Sequence, residues 1–279
     1  MRLGKSRTAS GRVRRWLWIL TALTALLLLA VYGAPFICPF DPQGQDLSRS
    51  LQPPGKEHIL GTDQYGRDVL ARVLSGGRVS ISSTFLLVAV ISVFGSMSGV
   101  YCGLRGGWPD RLLMGIAELC LSLPGIILAM AIAAVLNGGV LGAVGALALV
   151  SWPKYARLAR SRTLALKNSP FIYAVRLAGD TPGQVVRRHL LPNILGTVLV
   201  TAILDIGTLL MELAGLSFLG LGAQPPTAEW GSMLSSGRSM LQLYPWLVLG
   251  PGLGIFITVV LFSLLGDAMR DCLDVRRVP

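Results

Sequence analysis

From Trp16 to Ile37 the chain runs without a charged side chain, and comparable apolar stretches recur along its length. They are Ser80–Leu104, Leu112–Leu136, Val140–Val150 continuing toward Ala159, Asn193–Leu219 and Trp246–Ala268. A helix needs roughly 20 mostly apolar residues to cross a bilayer. Six such stretches therefore predict an all-α membrane protein with six transmembrane helices. The stretch around 140–159 is the weakest of them, because Pro153 and Lys154 lie near its end.

Composition agrees with this reading. Of 279 residues, 52% are hydrophobic and only 14% charged, with a mean hydropathy of +0.62, too apolar for a water-soluble domain. The net charge of +11 could suggest nucleic acid as a partner, but its distribution argues otherwise. Positive residues gather in the leader (Arg2, Lys5, Arg7, Arg12, Arg14, Arg15), at Arg105 and Arg111, and between Lys154 and Arg188. These are alternate loops of a six-span chain, and cytoplasmic loops carry the Lys/Arg excess. The expectation is that both termini are cytoplasmic and no nucleic acid is bound. In the 38–79 segment, expected to be extracytoplasmic, five basic residues are matched by Asp41, Asp46, Glu57, Asp63 and Asp68.

The predicted order is a basic leader (1–15), a first span (16–37), an extracytoplasmic segment (38–79), a membrane domain (80–274) and a short cytoplasmic tail (275–279). The first span has a basic leader like that of a signal peptide. Its apolar run is too long, and no small-x-small cleavage site follows cleanly, so it reads as a retained anchor. Cys38, Cys102, Cys120 and Cys272 form no close pair and suggest neither a disulfide framework nor a zinc site. Gly95-x3-Gly99-x3-Gly103, Gly138-x3-Gly142 and Gly250-x3-Gly254 are spacings that let helix backbones approach closely in lipid.

Two polar segments carry further local signals. In the first, Gly61 and Gly66 mark turns, and Asp68 is placed to start a short helix through Leu74 that ends at Gly76-Gly77. In the second, Asn168-Ser169-Pro170 predicts a cap and the start of a helix from Pro170 to Ala178. Gly179 then permits a bend, Thr181-Pro182 restarts a second helix reaching Arg188, and Pro192 is tolerated at the start of the fifth span. A basic loop built as helix, glycine, helix and then membrane suits a lever gripped by a soluble partner. No G-x4-G-K-[ST] phosphate loop occurs, so the chain is not expected to bind ATP by that route. There is no H-E-x-x-H, only two histidines (His58 and His189), and no nucleophile–base constellation. The chain is expected to have no catalytic and no metal-binding residues.

Residues 173–193 resemble the cytoplasmic signature of the membrane subunits of ATP-binding-cassette importers: Glu-Ala-Ala, three residues, then Gly. Ala174 and Gly179 match, Tyr173 replaces the acid and Val175 the second alanine. The arginine, histidine and Leu-Pro-Asn ending match Arg188, His189, Leu191, Pro192 and Asn193. Leu60-Gly61-Thr62-Asp63 with Gly66-Arg67-Asp68 and Arg72 is similar to the outer segment of the dipeptide, oligopeptide and nickel group of these importers. So are Leu216–Gly222 with Gln224-Pro225-Pro226 and Glu229-Trp230-Gly231, and the end Leu265-Gly266-Asp267, Arg270-Asp271 and Leu273-Asp274. The chain looks like the second, C-type permease of such systems.

The resemblance implies a type I importer permease in the cytoplasmic membrane. Its partners would be a second permease, one or two ATPase subunits that bind ATP and magnesium, and an extracytoplasmic binding protein. It also implies that the coupling segment (160–191) docks an ATPase through Tyr173, Ala174, Gly179, Arg188, His189 and Pro192. Asp205 and Glu212, two helical turns apart, share one face of the fifth span. Charges at mid-bilayer are costly and usually face a pathway or a partner. They read either as an acidic strip for a cationic substrate or as structural acids pairing with an arginine or capping a broken helix. Leu204-Asp205-Ile206-Gly207, Ala214-Gly215 and Thr227–Gly231 look closer to nickel permeases, which implies nickel or a nickel chelate as substrate. A dipeptide or oligopeptide is the alternative. An ion-coupled secondary transporter, the alternative from another class, would need a coupling-ion site and often shows inverted repeats; neither is evident.

Overall fold

The computed structural model describes residues 4–275; the first residues of the basic leader and all but the first residue of the predicted tail lie outside them. Eleven α-helices follow one another among the described residues, with no strand. They are α1 (Gly4–Tyr32), α2 (Ala34–Ile37), α3 (Val69–Arg105), α4 (Gly107–Ser122), α5 (Gly125–Val135), α6 (Gly139–Lys167), α7 (Pro170–Leu177), α8 (Pro182–Gln184), α9 (Leu191–Phe218), α10 (Trp230–Gly237) and α11 (Trp246–Val275). A π-helical run, Val185–Leu190, joins α8 to α9.

Four segments are long and apolar enough to cross a membrane: Val13–Tyr32, Val69–Arg105, Val185–Phe218 and Trp246–Cys272. The stretch predicted as one straight span over 112–136 is instead two helices, α4 and α5, bent by 100°. Leu123-Pro124 lies at the break, where proline has no amide hydrogen to continue the α4 ladder. Counting the bent pair as one span gives five. α6, the weakest of the six predicted spans, is less apolar than these, since Lys154, Arg157, Arg160 and Arg162 follow Trp152; its last residue, Lys167, lies at the C-terminal end of α3, against the Leu104 carbonyl.

The 37 residues of α3 would measure about 55 Å at 1.5 Å each, well beyond a 30 Å hydrocarbon core. The helix was expected to break at Gly76-Gly77 and resume at Ser80, but it runs straight through. Those glycines are close-packing positions. A Cβ on Gly77 would lie 2.7 Å from the Trp230 ring, and one on Gly76 3.3 Å from the Glu229 amide nitrogen. Asp68 does start the helix, as its sequence context predicts: its Oδ1 accepts from the Ala71 amide at 2.7 Å.

By contacts the chain divides into two compact units. One gathers the described residues up to Phe85, then Ala133–Val144 and those from Ile203 onward; the other holds Leu86–Ile132 and Gly145–Ala202.

In the first unit, α1 and α10 both pack on α11. The core holds Val31, Ile81, Leu210, Ala228, Trp230 and Met233. The Trp230 ring occupies a slot between glycines of α3 and α11: a Cβ on Gly254 would meet it at 2.8 Å. Its indole nitrogen donates to the Val73 carbonyl at 2.8 Å. Arg78 closes the C-terminal end of α1, donating to the carbonyls of Val31 (2.9 Å) and Tyr32. A cation there also complements the helix dipole.

The segment between α2 and α3 is a tight polar knot. Gly61 and Gly66 take φ of +74° and +71°, the turns expected of them. Asp63 accepts from the Tyr65 and Arg67 amides at 2.9 and 3.0 Å and from Arg67 Nε at 2.7 Å, while Arg72 Nε lies 3.5 Å away. Asp68 also meets His58 Nδ1 at 2.8 Å, with both residues buried. Trp246 ties the knot to α11 by donating to the Thr62 carbonyl at 3.2 Å. On the exposed side, hydrogen bonds from Ser48 hold the Asp46 carboxyl below the usual carboxylate range.

In the second unit α3 and α6 are in close contact. Gly95, Gly99 and Gly103, one turn apart, bring the α3 backbone against Trp152, Tyr155, Ala156 and Thr163. The Gly138-x3-Gly142 spacing belongs to the first unit, and a Cβ on Gly142 would meet Leu136, just after the end of the preceding helix. Gly138 has φ +67° and turns the chain after α5, its amide bonding the Ala133 carbonyl at 3.0 Å.

Candidate functional site

The segment singled out by the resemblance is assembled from α6 onward. The basic end of α6 is held by two polar links. Arg160 makes a two-pronged contact with Asp110, Nε–Oδ1 2.6 Å and Nη2–Oδ2 2.7 Å, and Lys167 Nζ donates to the Leu104 carbonyl at 2.7 Å. Paired donors of this kind fix orientation as well as distance.

α7 then begins at Pro170, the N-terminal turn position that proline favours. The Ser169 carbonyl accepts from the Ile172 and Tyr173 amides, at 3.1 and 3.3 Å. Its hydroxyl, expected to help cap the helix, has no hydrogen-bond partner. α7 is amphipathic: Ile172 is buried, whereas Phe171, Tyr173, Ala174 and Leu177 are exposed. Tyr173 and Ala174 thus stand on an open helix surface.

Gly179 follows with φ +100°, a conformation that L side chains rarely adopt. Thr181 and Gln184 form a reciprocal cap, Thr181 N to Gln184 Oε1 2.7 Å and Gln184 N to Thr181 Oγ1 3.4 Å. The second helix predicted to reach Arg188 is not a separate rod. The short α8 passes into the π-helical run and then into α9 without interruption. Pro192 is the second residue of α9, directly after the π-helical run, where it has no amide to continue the ladder.

Within this segment Arg188 is exposed, and His189 faces back toward the glycine turn. His189 Nε2 lies 3.1 Å from Asp180 Oδ2, its ring meets the Phe171 ring edge-on at 5.4 Å, and its carbonyl accepts from Asn193 Nδ2 at 2.7 Å. Arg188 Nη1 is 3.9 Å from Asp180 Oδ1. Sequence reasoning missed Asp180. Its signal is an acid directly after the positive-φ glycine and ahead of an Arg-His pair, a pattern that becomes visible only once the π-helical run brings the two ends together.

Asp205 and Glu212 both lie in α9. Asp205 is buried and Glu212 partly buried, and neither stands without an interaction. Glu229, known from the sequence only as part of a family motif, has a structural role that the sequence did not show. It is buried, with Oε1 accepting from Ser80 Oγ at 2.9 Å and from the Gly231 amide at 3.0 Å, and Oε2 accepting from the Ser232 amide at 2.9 Å. One carboxylate therefore caps α10 and ties it to α3. Glutamate is not a preferred N-cap residue, so the sequence signalled this poorly. Among the described residues, no group of three His, Cys, Asp or Glu side chains is placed to hold a metal ion.

Comparison with known proteins places this architecture. Residues 91–278 match the family described as binding-protein-dependent transport system inner membrane component. The dipeptide transport system permease protein DppC of Alkalihalophilus pseudofirmus is 40% identical over 255 residues, covering 91% of this chain and 84% of that protein. The glutathione transport system permease protein GsiD of Pectobacterium atrosepticum is 38% identical over 264 residues, covering 94% and 88%. Among solved structures, the inward-facing MetNI methionine ABC transporter superposes with a TM-score of 0.57 at 24% identity, covering 74% of this chain and 97% of that one. The last likeness concerns the fold, that of type I ABC importer permeases. This chain is a multi-pass inner-membrane protein and belongs to the binding-protein-dependent transport system inner membrane components, the permease subunits of ABC importers.

Proposed function

We propose that the chain is the C-type permease of an ABC importer for short peptides of about dipeptide size. The observation that carries this reading is likeness over more than nine-tenths of the chain to permeases named for dipeptides and for glutathione. Both ligands are short peptides with free carboxylates. The narrower expectation of nickel, drawn from the residues around Asp205 and Glu229, gains nothing from these relatives and gives way to the peptide alternative.

In this reading a second permease completes the pathway, and one or two ATPase subunits bind ATP and magnesium on the cytoplasmic face. An extracytoplasmic binding protein delivers the peptide. Both termini and the 160–191 segment are cytoplasmic, while the 38–79 segment lies outside. The exposed surface of α7 around Tyr173 and Ala174 docks an ATPase subunit, Gly179 turns the chain, and Arg188, His189 and Pro192 lead into α9. ATP-driven closure of the ATPases then shifts the spans between inward-open and outward-open forms, each ligand acting through its differential affinity for the two. Asp205 and Glu212 are the pathway acids of α9 in this reading.

Uptake in cells lacking this chain tests the substrate. Import of a labelled dipeptide is expected to fall to background and return on complementation, with nickel accumulation unchanged. Normal dipeptide uptake together with lost nickel accumulation would reverse the assignment.

A further inference from the structure

We propose that Asp180 is a positioning residue for energy coupling, acting through His189 to hold α7 and the start of α9 as one lever arm. The proposal rests on the reading above that α7 is the ATPase dock.

The geometry of the loop is the argument. At the turn itself little steric packing fixes the backbone: a Cβ on Gly179 or Gly183 would meet nothing within 4 Å, and the buried residues of the connection, Val185 and Leu190, come only after it. Gly179 is also at φ +100°, so the turn relies on a residue with unusually free backbone torsions. The Val185–Leu190 run is π-helical, a form that occurs mostly as short turns and frequently at functional sites. A loop with these properties would transmit a push poorly unless something tied its ends together.

His189 supplies the tie from three directions. Its Nε2 reaches Asp180 at 3.1 Å across the turn, its ring stands edge-on against Phe171 of α7, and its carbonyl takes the Asn193 side chain of α9. Asp180 is the one of these partners that lies in the turn itself, and its other oxygen faces Arg188 at 3.9 Å. Removing the carboxylate leaves α7 attached to α9 through its packing on the π-helical run, the Phe171 edge contact and the glycine turn, with no polar tie across that turn. Displacement of α7 would then be absorbed in the loop instead of moving α9.

The test uses the whole complex in proteoliposomes, with its ATPase and binding protein and labelled alanyl-alanine as probe. The Asp180→Ala complex is expected to assemble at the wild-type yield. The ATP consumed per dipeptide imported should rise about two- to thirtyfold, the range seen when a residue modulates coupling between sites. The exchanged pair D180H/H189D should restore the ratio. A wild-type ratio in Asp180→Ala overturns the proposal, as does a rise that the exchanged pair leaves in place. Failure of both Asp180→Ala and Asp180→Asn to assemble would also overturn it, by making the residue a folding element. A photo-cross-linking residue in place of Ala174 checks the underlying reading separately. If it never captures the ATPase subunit in the otherwise unaltered complex, the docking reading fails whatever the Asp180 variants do.

Discussion

Gly99→Val is expected to destabilise the protein by about 3 kcal/mol or more, at or beyond the upper end of ordinary overpacking, because nothing at that position can yield. A Cβ there would sit inside the van der Waals envelope of the Ala156 carbonyl oxygen and 2.9 Å from its carbonyl carbon. The neighbouring glycines are confined in the same way. A Cβ on Gly95 would come within 2.6 Å of the Trp152 carbonyl oxygen, and one on Gly103 within 2.8 Å of Thr163 Cβ. These obstacles are backbone atoms and a β-carbon, which no rotamer change moves aside. α3 and α6 would have to separate, opening the interface that buries Tyr155, Ala156 and Thr163 completely. Without a hydrophobic drive between helices in lipid, that packing is a main source of their association. Gly115→Val is the control, since a Cβ in that part of α4 meets nothing within 4 Å. Thermal melting of the purified complex should show a large loss for Gly99→Val and a small one for Gly115→Val. Equal losses would refute the packing account.

Glu229→Ala is the second large effect, at about 3 kcal/mol. The loss of an N-cap accounts for roughly 1 kcal/mol. That term covers the amides of Gly231 and Ser232, which the carboxylate caps. The remainder comes from the buried Ser80 hydroxyl, left without this acceptor, at about 1–3 kcal/mol. Glu229→Gln keeps one oxygen and the shape, and should lose roughly half as much. The consequence extends beyond α10. Trp230 follows Glu229 directly and fills the slot between Gly77 and Gly254, so loosening the cap loosens the core around Val31, Ile81 and Leu210. A melting temperature unchanged in Glu229→Ala would show that the carboxylate holds nothing.

How far the sequence could be read depended on which physical signal each element used. The apolar runs of α1, α9 and α11 were plain, because span length in lipid is a composition rule. Gly61, Gly66 and Gly179 were legible as turns, and all three take positive φ. The same rule misled at Gly76-Gly77. Glycine also serves where two backbones must approach, and only the position of the Trp230 ring tells the two uses apart. The bend at Leu123-Pro124 lay hidden inside a continuous apolar run, where hydropathy is blind to direction. α6 read as a weak span because its apolar part gives way to Lys154, Arg157 and Arg160. The roles of Asp180 and Glu229 were not legible because each acts on a residue that the fold brings close: His189 nine positions on, and Ser80 from a helix far earlier in the chain. The sequence carries composition and local torsion on its face, and long-range partners only after folding.

The most direct test of the account is dipeptide uptake by the purified complex in proteoliposomes, with ATP and magnesium trapped on the ATPase side and the binding protein on the other. Labelled dipeptide should accumulate only when ATP, an active ATPase and the binding protein are all present. Accumulation that continues with an inactivated ATPase, driven by an ion gradient alone, would contradict it and make the chain a secondary transporter.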